Sequence, residues 1–303
     1  MKRALVVGSA GQDGRILVAQ LGAKGYASIG VDRDDVDVRD GAAVQALVQA
    51  VRPDAIYYLA AHHHSSEEAT DADVPGIFRE SLEVNVTGLV NVLEGAKRSA
   101  PEGRVFYAAS SHVFGRPEAA VQNERTPRNP VNIYGLTKSA GMDAVRFYRA
   151  AGLHASTGIL YNHESIYRTE KFVSMRLARA ARHAAEARKS GEIHRVEIGS
   201  FAALVDWGYA PDYTEAMQRI VEHASPDEYV VATGEPHTVR DFAEAAFAAL
   251  DLDYRVHVSE RDGIIQKPGV PLVGDATKLR AATGWAPTVT FVDMVSRISR
   301  GEL

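Results

Sequence analysis

The chain has 303 residues, 46% of them hydrophobic and 24% charged, the balance of an ordinary globular protein and not of a disordered or fibrous one. Cysteine is absent, which excludes disulfides, thiolate chemistry and Cys-based metal sites, and 34 basic against 39 acidic residues give a net charge of −5, no footprint for nucleic acid. No run approaches the roughly 20 apolar residues of a membrane span, and the N-terminal stretch breaks at Gly8 like a strand and turn, not a signal peptide, so a cytoplasmic protein is expected.

Short apolar runs predict strands at Arg3–Val7, Ala27–Val31, Ala55–Leu59, Arg104–Ala109 and His154–Leu160. Between them, apolar residues at helical spacing predict helices at Gly14–Ala23, Gly41–Val51, Ser81–Ser99 and Tyr134–Ala151. Strands apolar on both faces and separated by helices imply a doubly wound parallel sheet of the α/β class. Beyond residue 161 come helices at Val173–Lys189, Tyr213–His223 and Val239–Leu250 and short strands at Val196–Ile198, Tyr229–Ala232 and Tyr254–Val258. That is enough for a smaller second lobe, so residues 1–161 are expected to form one domain and 162–303 mainly another.

Three constellations carry chemistry. Gly8, Gly11 and Gly14 follow the first strand and open a helix, where missing Cβ atoms and free helical N–H groups let a diphosphate approach the backbone. With Gln12 and Asp13 they make the candidate turn of a dinucleotide site. Asp32 ends the second predicted strand, where a carboxylate accepts the ribose hydroxyls of NAD and repels a 2′-phosphate. Arg33 beside it could instead clamp the phosphate of NADP; Asp37 and Val38 could border the adenine. The third constellation is Tyr134 and Lys138, on one helix face at i and i+4, with Ser110 and Ser111 upstream at a strand end. A free phenol has a pKa of about 10 and is a poor base. An adjacent ammonium lowers it, so that Tyr134 can take a hydroxyl proton while a hydride leaves the same carbon and Ser110 holds the oxygen.

Together these residues resemble the extended short-chain dehydrogenase/reductases that rework nucleotide sugars. The blocks Gly158–Ser165 (GILYNHES), Asp206–Tyr213 (DWGYAPDY) and Ala232–Arg240 (ATGEPHTVR) resemble more narrowly the GDP-mannose 4,6-dehydratases, as do Gly11–Gly14 and the late Gly274-Asp275, Lys278 and Gly284–Pro287. The resemblance runs from residue 3 to about residue 295. It implies a Rossmann domain with a small C-terminal substrate domain, from which a segment near 199–224 returns to the first; NAD as cofactor; a nucleotide-diphosphate sugar as substrate; and a homodimer or homotetramer. It further implies that Leu59, Ala60, Ala61 and Tyr161 border the cofactor. Ser111, His62, Asn162, Phe172, Val173, Arg176 and Lys267 would face the substrate, and Asn85 would brace the central helix.

The departures bear on the reaction. The dehydratases carry a Glu, the base for the sugar's C5 proton, where this chain has His112. A neutral imidazole could take that role or be a bystander. The family's Arg before Asp-Trp-Gly is Val205, and its late Arg-Pro-x-Glu block is shortened at Lys267-Pro268. Both 4,6-dehydration and a simpler C4 oxidation, reduction or epimerisation stay open, as does a non-catalytic dinucleotide-binding module. His62-His63-His64, with His154, His163 and His237, lacks the spacing of a metal site, and no metal is expected; these are read as loop histidines lining the cleft.

Overall fold

The computed structural model describes residues 1–63, 73–261 and 271–303; His64 and Lys267 lie outside the described residues. Its first half alternates β1 (Arg3–Val7), α1 (Gln12–Ala23), β2 (Ala27–Val31), α2 (Gly41–Val51), β3 (Ala55–Tyr58), α3 (Val74–Leu82), α4 (Leu89–Ser99), β4 (Arg104–Ser110), α5 (Ile133–Ala150) and β5 (Ala155–Leu160). Every residue of β3 and β5 is buried, because helices cover both faces of the sheet. The remainder comprises β6 (Asn162–Glu164), α6 (Val173–Lys189), β7 (Val196–Ile198), β8 (Leu204–Tyr209), α7 (Ala210–Glu222), β9 (Glu228–Val231), β10 (Pro236–Thr238), α8 (Val239–Ala248), α9 (Tyr254–His257), β11 (Val258–Glu260), α10 (Thr277–Thr283) and α11 (Phe291–Arg300).

Six strands form one parallel sheet in the order β2-β1-β3-β4-β5-β9. The order reverses direction between β1 and β3, the position at which doubly wound sheets open a ligand crevice. Two smaller sheets, β10-β8-β6 and β11-β7, belong to the second lobe. There Trp207, Phe242, Phe247 and Met294 build a core separate from the one around the large sheet.

The stretch expected to return, 199–224, divides: Phe201, Trp207 and Tyr209 lie in the second core, and the return begins at Tyr213 and runs past 224. Tyr213–Val221 pack into the first core, β9 completes the large sheet, and Leu279 and Trp285 follow them. Gln20 on α1 holds this segment by accepting from Thr214 at 2.8 Å and Gln218 at 2.7 Å and donating to the Pro211 carbonyl at 3.0 Å. The helix read as Ser81–Ser99 is three pieces, with a π-helical stretch at Glu83–Gly88 between α3 and α4. Tyr254–Val258, expected as a strand, is a helical turn before β11. Asp253 caps it by accepting from the Arg255 N–H, and the buried pair Tyr254 and His257 has helical i, i+3 spacing.

Candidate active site

The turn after β1 builds the floor of a cavity of about 340 Å³. Gly8 has φ +93°, and a Cβ there would stand 2.7 Å from the Ala60 nitrogen, so only glycine lets this turn pack on the end of β3. Gly11 is the N-cap of α1 and puts no side chain across the helix N-terminus. The cavity is lined by Gly8, Gly11, Asp32, Arg33, the 36–39 loop and Leu59–His62. Asp32 is oriented by the Ser9 hydroxyl at 2.6 Å and the Ala10 N–H at 2.8 Å, both donating to Oδ2. Asp37 chelates Arg39 through both oxygens, and these bonds hold its carboxyl down at about 2. Val38 and Leu59–Ala61 line the cavity.

Three of the residues assigned to the cofactor turn elsewhere. Gln12 donates to the His163 carbonyl at 3.0 Å and accepts from Ser165 at 3.0 Å. Asp13 pairs with His163 Nε2 at 3.0 Å, while His163 Nδ1 meets the Tyr161 carbonyl at 2.7 Å. Burial pushes the Asp13 carboxyl up, but His163 outweighs it and holds the group below the usual carboxylate range. Burial likewise pulls His163 down, and Asp13 outweighs that and holds it above the ordinary imidazole value. Stacked on Tyr213 at 4.6 Å, the His163 ring makes this pair a clasp between the glycine turn and β6. The Tyr161 side chain points into the core and donates to Gln122 at 3.0 Å. A side chain at the end of a buried strand has two directions to choose from, and the Gln122 carbonyl oxygen settles this one.

Ser110, Tyr134 and Lys138 converge beyond the end of β4. Lys138 is buried and donates to the Ala108 carbonyl at 2.7 Å, with Nζ 5.6 Å from the Tyr134 ring centre. Burial pulls the Lys138 ammonium down to about 7 and pushes the Tyr134 phenol up to about 12. The cation that opposes the rise at Tyr134 is Arg168, aided by a hydrogen bond from Ser110. Lys138 was expected to be that cation; burial lowers its own proton affinity in the same place. Arg168 stacks 3.5 Å over the Phe172 ring and lies 3.4 Å from Glu164. Nothing in the sequence singled it out, since one Arg in a polar loop carries no periodic signal.

The helix carrying Tyr134 is seated with little freedom. Asn132 caps α5 by accepting from the Gly135 N–H at 2.7 Å. A Cβ on Gly135 would collide with the His112 carbonyl, so the glycine lets α5 rest on the Ser111–Val113 turn. That contact brings the His112 ring to 5.7 Å from Tyr134, edge-on. The His63 ring stands 4.6 Å from Tyr134 and 5.7 Å from Phe172. Asn85, fully buried in the π-helical stretch, accepts from the His62 N–H at 2.8 Å and donates to Thr137 at 2.9 Å, tying the His62 loop to α5. Here an extra residue in the helical turn re-aims a side chain towards a site.

Of the residues assigned to substrate, His62 lines the cavity and Phe172 stands beside His63, while Arg176 lies one turn into α6. Ser111 is buried, and Val173 is half-buried against the second core. Asn162 pairs with Trp207 through β6 and β8. Among the described residues no three His, Asp or Glu side chains gather to hold a metal ion, and no helix is long and apolar enough to cross a membrane.

A family model described as GDP-mannose 4,6 dehydratase matches residues 34–298. The chain is 33% identical to a GDP-mannose 4,6 dehydratase of Drosophila melanogaster over 88% of its own length and 70% of that protein's. It is equally similar, at 33%, to GDP-mannose 4,6 dehydratase 1 of Arabidopsis thaliana over 97% and 88%. In fold it matches RMD from Pseudomonas aeruginosa, solved with NADPH, at a TM-score of 0.84 and 22% identity, covering 99% of this chain and 98% of the other. It also matches a dTDP-glucose 4,6-dehydratase from Bacillus anthracis, solved with NAD, at 0.82 and 17%, covering 99% and 96%. Sequence, sheet order and the Ser110–Tyr134–Lys138 cluster agree: the chain belongs to the GDP-mannose 4,6-dehydratase family of extended short-chain dehydrogenases/reductases.

Proposed function

We propose that this chain is an NAD-dependent enzyme that changes the oxidation state of C4 in the sugar of a nucleotide-diphosphate hexose. The observation that carries the reading is the convergence of Ser110, Tyr134 and Lys138 on one spot next to the His62 end of the cavity. The cavity suits a dinucleotide on three counts. Its turn is free of Cβ atoms at Gly8 and Gly11, a helix N-terminus faces it, and Asp32 keeps Oδ1 for a ribose hydroxyl because Ser9 and Ala10 both use Oδ2. The same carboxylate disfavours a 2′-phosphate, which is why NAD is preferred over the NADP that Arg33 would accept.

When bound, the nicotinamide supplies the hydride acceptor or donor for C4. The remaining work belongs to the chain. Tyr134 takes the C4 hydroxyl proton during oxidation and returns it during reduction. Ser110 donates to the oxygen whose charge develops, and Arg168 favours the phenolate. Lys138, fixed to the Ala108 carbonyl, keeps Tyr134 in register with the cavity. The relatives' names favour a second reading in which C4 oxidation is only the first step and loss of the C5 proton and the C6 hydroxyl follows.

The purified protein is incubated with NAD and, in turn, GDP-mannose, dTDP-glucose and UDP-glucose, with products read by mass spectrometry and NMR. Turnover of one of them, lost in Tyr134→Phe, is expected. Turnover that survives that substitution refutes the assignment, and binding of NAD without any turnover favours a non-catalytic module.

A further inference from the structure

Lys138 carries its ammonium into a buried place where, among the described residues, no carboxylate is bonded to it. The residue is 1% exposed, and Nζ donates to the Ala108 carbonyl at 2.7 Å. Burial works against the charge, and the carboxylate that favours it from a distance, Asp13, is already committed to His163. Two aromatic rings flank the ammonium. Nζ stands over the Tyr107 ring, 5.0 Å from its centre, and 5.6 Å from the centre of Tyr134. The face of an aromatic ring is its negative side, and its attraction for a cation is strongest where water is excluded.

Two elements build this contact. On β4, Tyr107 is fully buried, with Tyr58 of β3 backing its ring at 6.3 Å. On α5, Gly141 lies one turn after Lys138, and a Cβ there would stand 2.6 Å from the Tyr107 Cζ, so the glycine lets the helix come down on the phenol. The Tyr107 hydroxyl then donates to the Lys138 carbonyl at 3.3 Å. Consecutive residues of β4 thus hold the lysine by a ring face and a carbonyl, and Ser110, further along the strand, donates to Tyr134.

We propose that Tyr107 is a positioning residue of the site: its ring face cradles the Lys138 ammonium, keeps it charged beside Tyr134, and acts on the reaction through that lysine. The inference rests on the assignment of Tyr134 and Lys138 to the redox step above. The described groups that face Lys138 are Tyr107 and the Ala108 carbonyl from β4, Tyr134 from α5 and Asp13 from α1. Arg168 acts on Tyr134, and His163 on Asp13. Tyr107 is not itself a base, because burial pushes its phenol well above the usual value and keeps it neutral.

The test uses three full-length proteins: wild type, Tyr107→Phe, and the chain with pentafluorophenylalanine at position 107. The fluorinated ring has nearly the shape of phenylalanine but a face of opposite polarity, so packing is kept while the attraction for a cation is lost. Lysine is labelled with 13C at Cε, and the Lys138 signal is assigned by its loss in Lys138→Met. Wild type and Tyr107→Phe should titrate close together, at about 7. With the fluorinated ring the midpoint should fall by about one pH unit. An unmoved or raised midpoint overturns the cradle, and so does a Tyr107→Phe midpoint as low as the fluorinated one, which would give the role to the hydroxyl. The second measurement is kcat/KM against pH with whichever of GDP-mannose, dTDP-glucose or UDP-glucose is converted. Relative to Tyr107→Phe, the fluorinated protein should lose about tenfold above about pH 8 and recover at low pH, where the lysine is charged in both. A loss equal at every pH would make Tyr107 a packing residue and overturn its action through Lys138. If none of the three sugars is turned over, the nucleotide-sugar reading has failed instead, and the Lys138 midpoint still decides the ring contact.

Discussion

Gly135→Ala is the most informative substitution because two well-measured effects oppose each other there. Alanine inside a helix normally stabilises by about 0.5–1 kcal/mol relative to glycine. At position 135 the new Cβ would lie 2.9 Å from the carbonyl carbon of His112 and still nearer its oxygen, whereas ordinary contact begins at 3.4 Å. Neither neighbour is a flexible side-chain end. The first turn of α5 must lift by about 1 Å, a misplacement that costs about 100-fold in rate when it falls on a reacting group. Overpacking of this kind costs about 1–3 kcal/mol, more than the helix gains. A lower Tm and a kcat reduced about 100-fold, with NAD affinity changed far less, are expected because the cavity around Asp32 is built by other elements. Gly22→Ala on α1 is the control: nothing lies within 4 Å of its Cβ, and it should stabilise slightly. Differential scanning calorimetry and steady-state kinetics read both. An unchanged kcat in Gly135→Ala would refute the idea that contact with the His112 backbone seats Tyr134.

Three further outcomes follow from the site. Arg168→Met removes the cation that opposes the raised Tyr134 phenol, so the alkaline-rising limb of kcat/KM should move to higher pH; an unmoved limb would take Arg168 out of the electrostatics. Asp32→Ala should weaken NAD and narrow the preference over NADP, as measured by titration with each dinucleotide, and a preference that stays intact would place discrimination elsewhere. His163→Leu strands the Asp13 carboxylate, and loss of one member of such a buried pair costs about 3 kcal/mol. The pH dependence has a definite sign. Asp13, held below 3.8, contributes stability above that value and loses it as pH falls through its lowered pKa. His163, held above 6.5, contributes below 6.5 and loses it as pH rises through its raised pKa. The Tm difference between wild type and His163→Leu should therefore be widest between those limits and shrink on either side. A difference flat with pH would show that packing on Tyr213, not the ion pair, holds the clasp.

Local order was largely legible in the chain. The buried strands β1, β3, β4 and β5 write themselves as apolar runs because both faces of the sheet are covered, and α2 and α6 begin and end where their periodicity does. The glycine turn, Asp32, Ser110 and the Tyr134–Lys138 pair could be picked out because each depends on spacing within one or two elements. Short segments of the second lobe were harder. Tyr254–Val258 alternates like a strand, yet a capping Asp253 and burial of residues three apart made it a helical turn.

What no spacing could reveal is who meets whom across long stretches of chain. Asp13 meets His163, 150 residues away. Asn85 joins the His62 loop to α5, and Arg168 reaches the field of Tyr134. The residue types established which chemistry is available: a phenol, a lysine, a hydroxyl and an acid for a ribose. Tertiary packing shifts the proton affinity of those groups, since burial acts on Lys138 and Tyr134 in opposite senses. Proton affinity depends on solvation and neighbours in space, and neither is written along the chain.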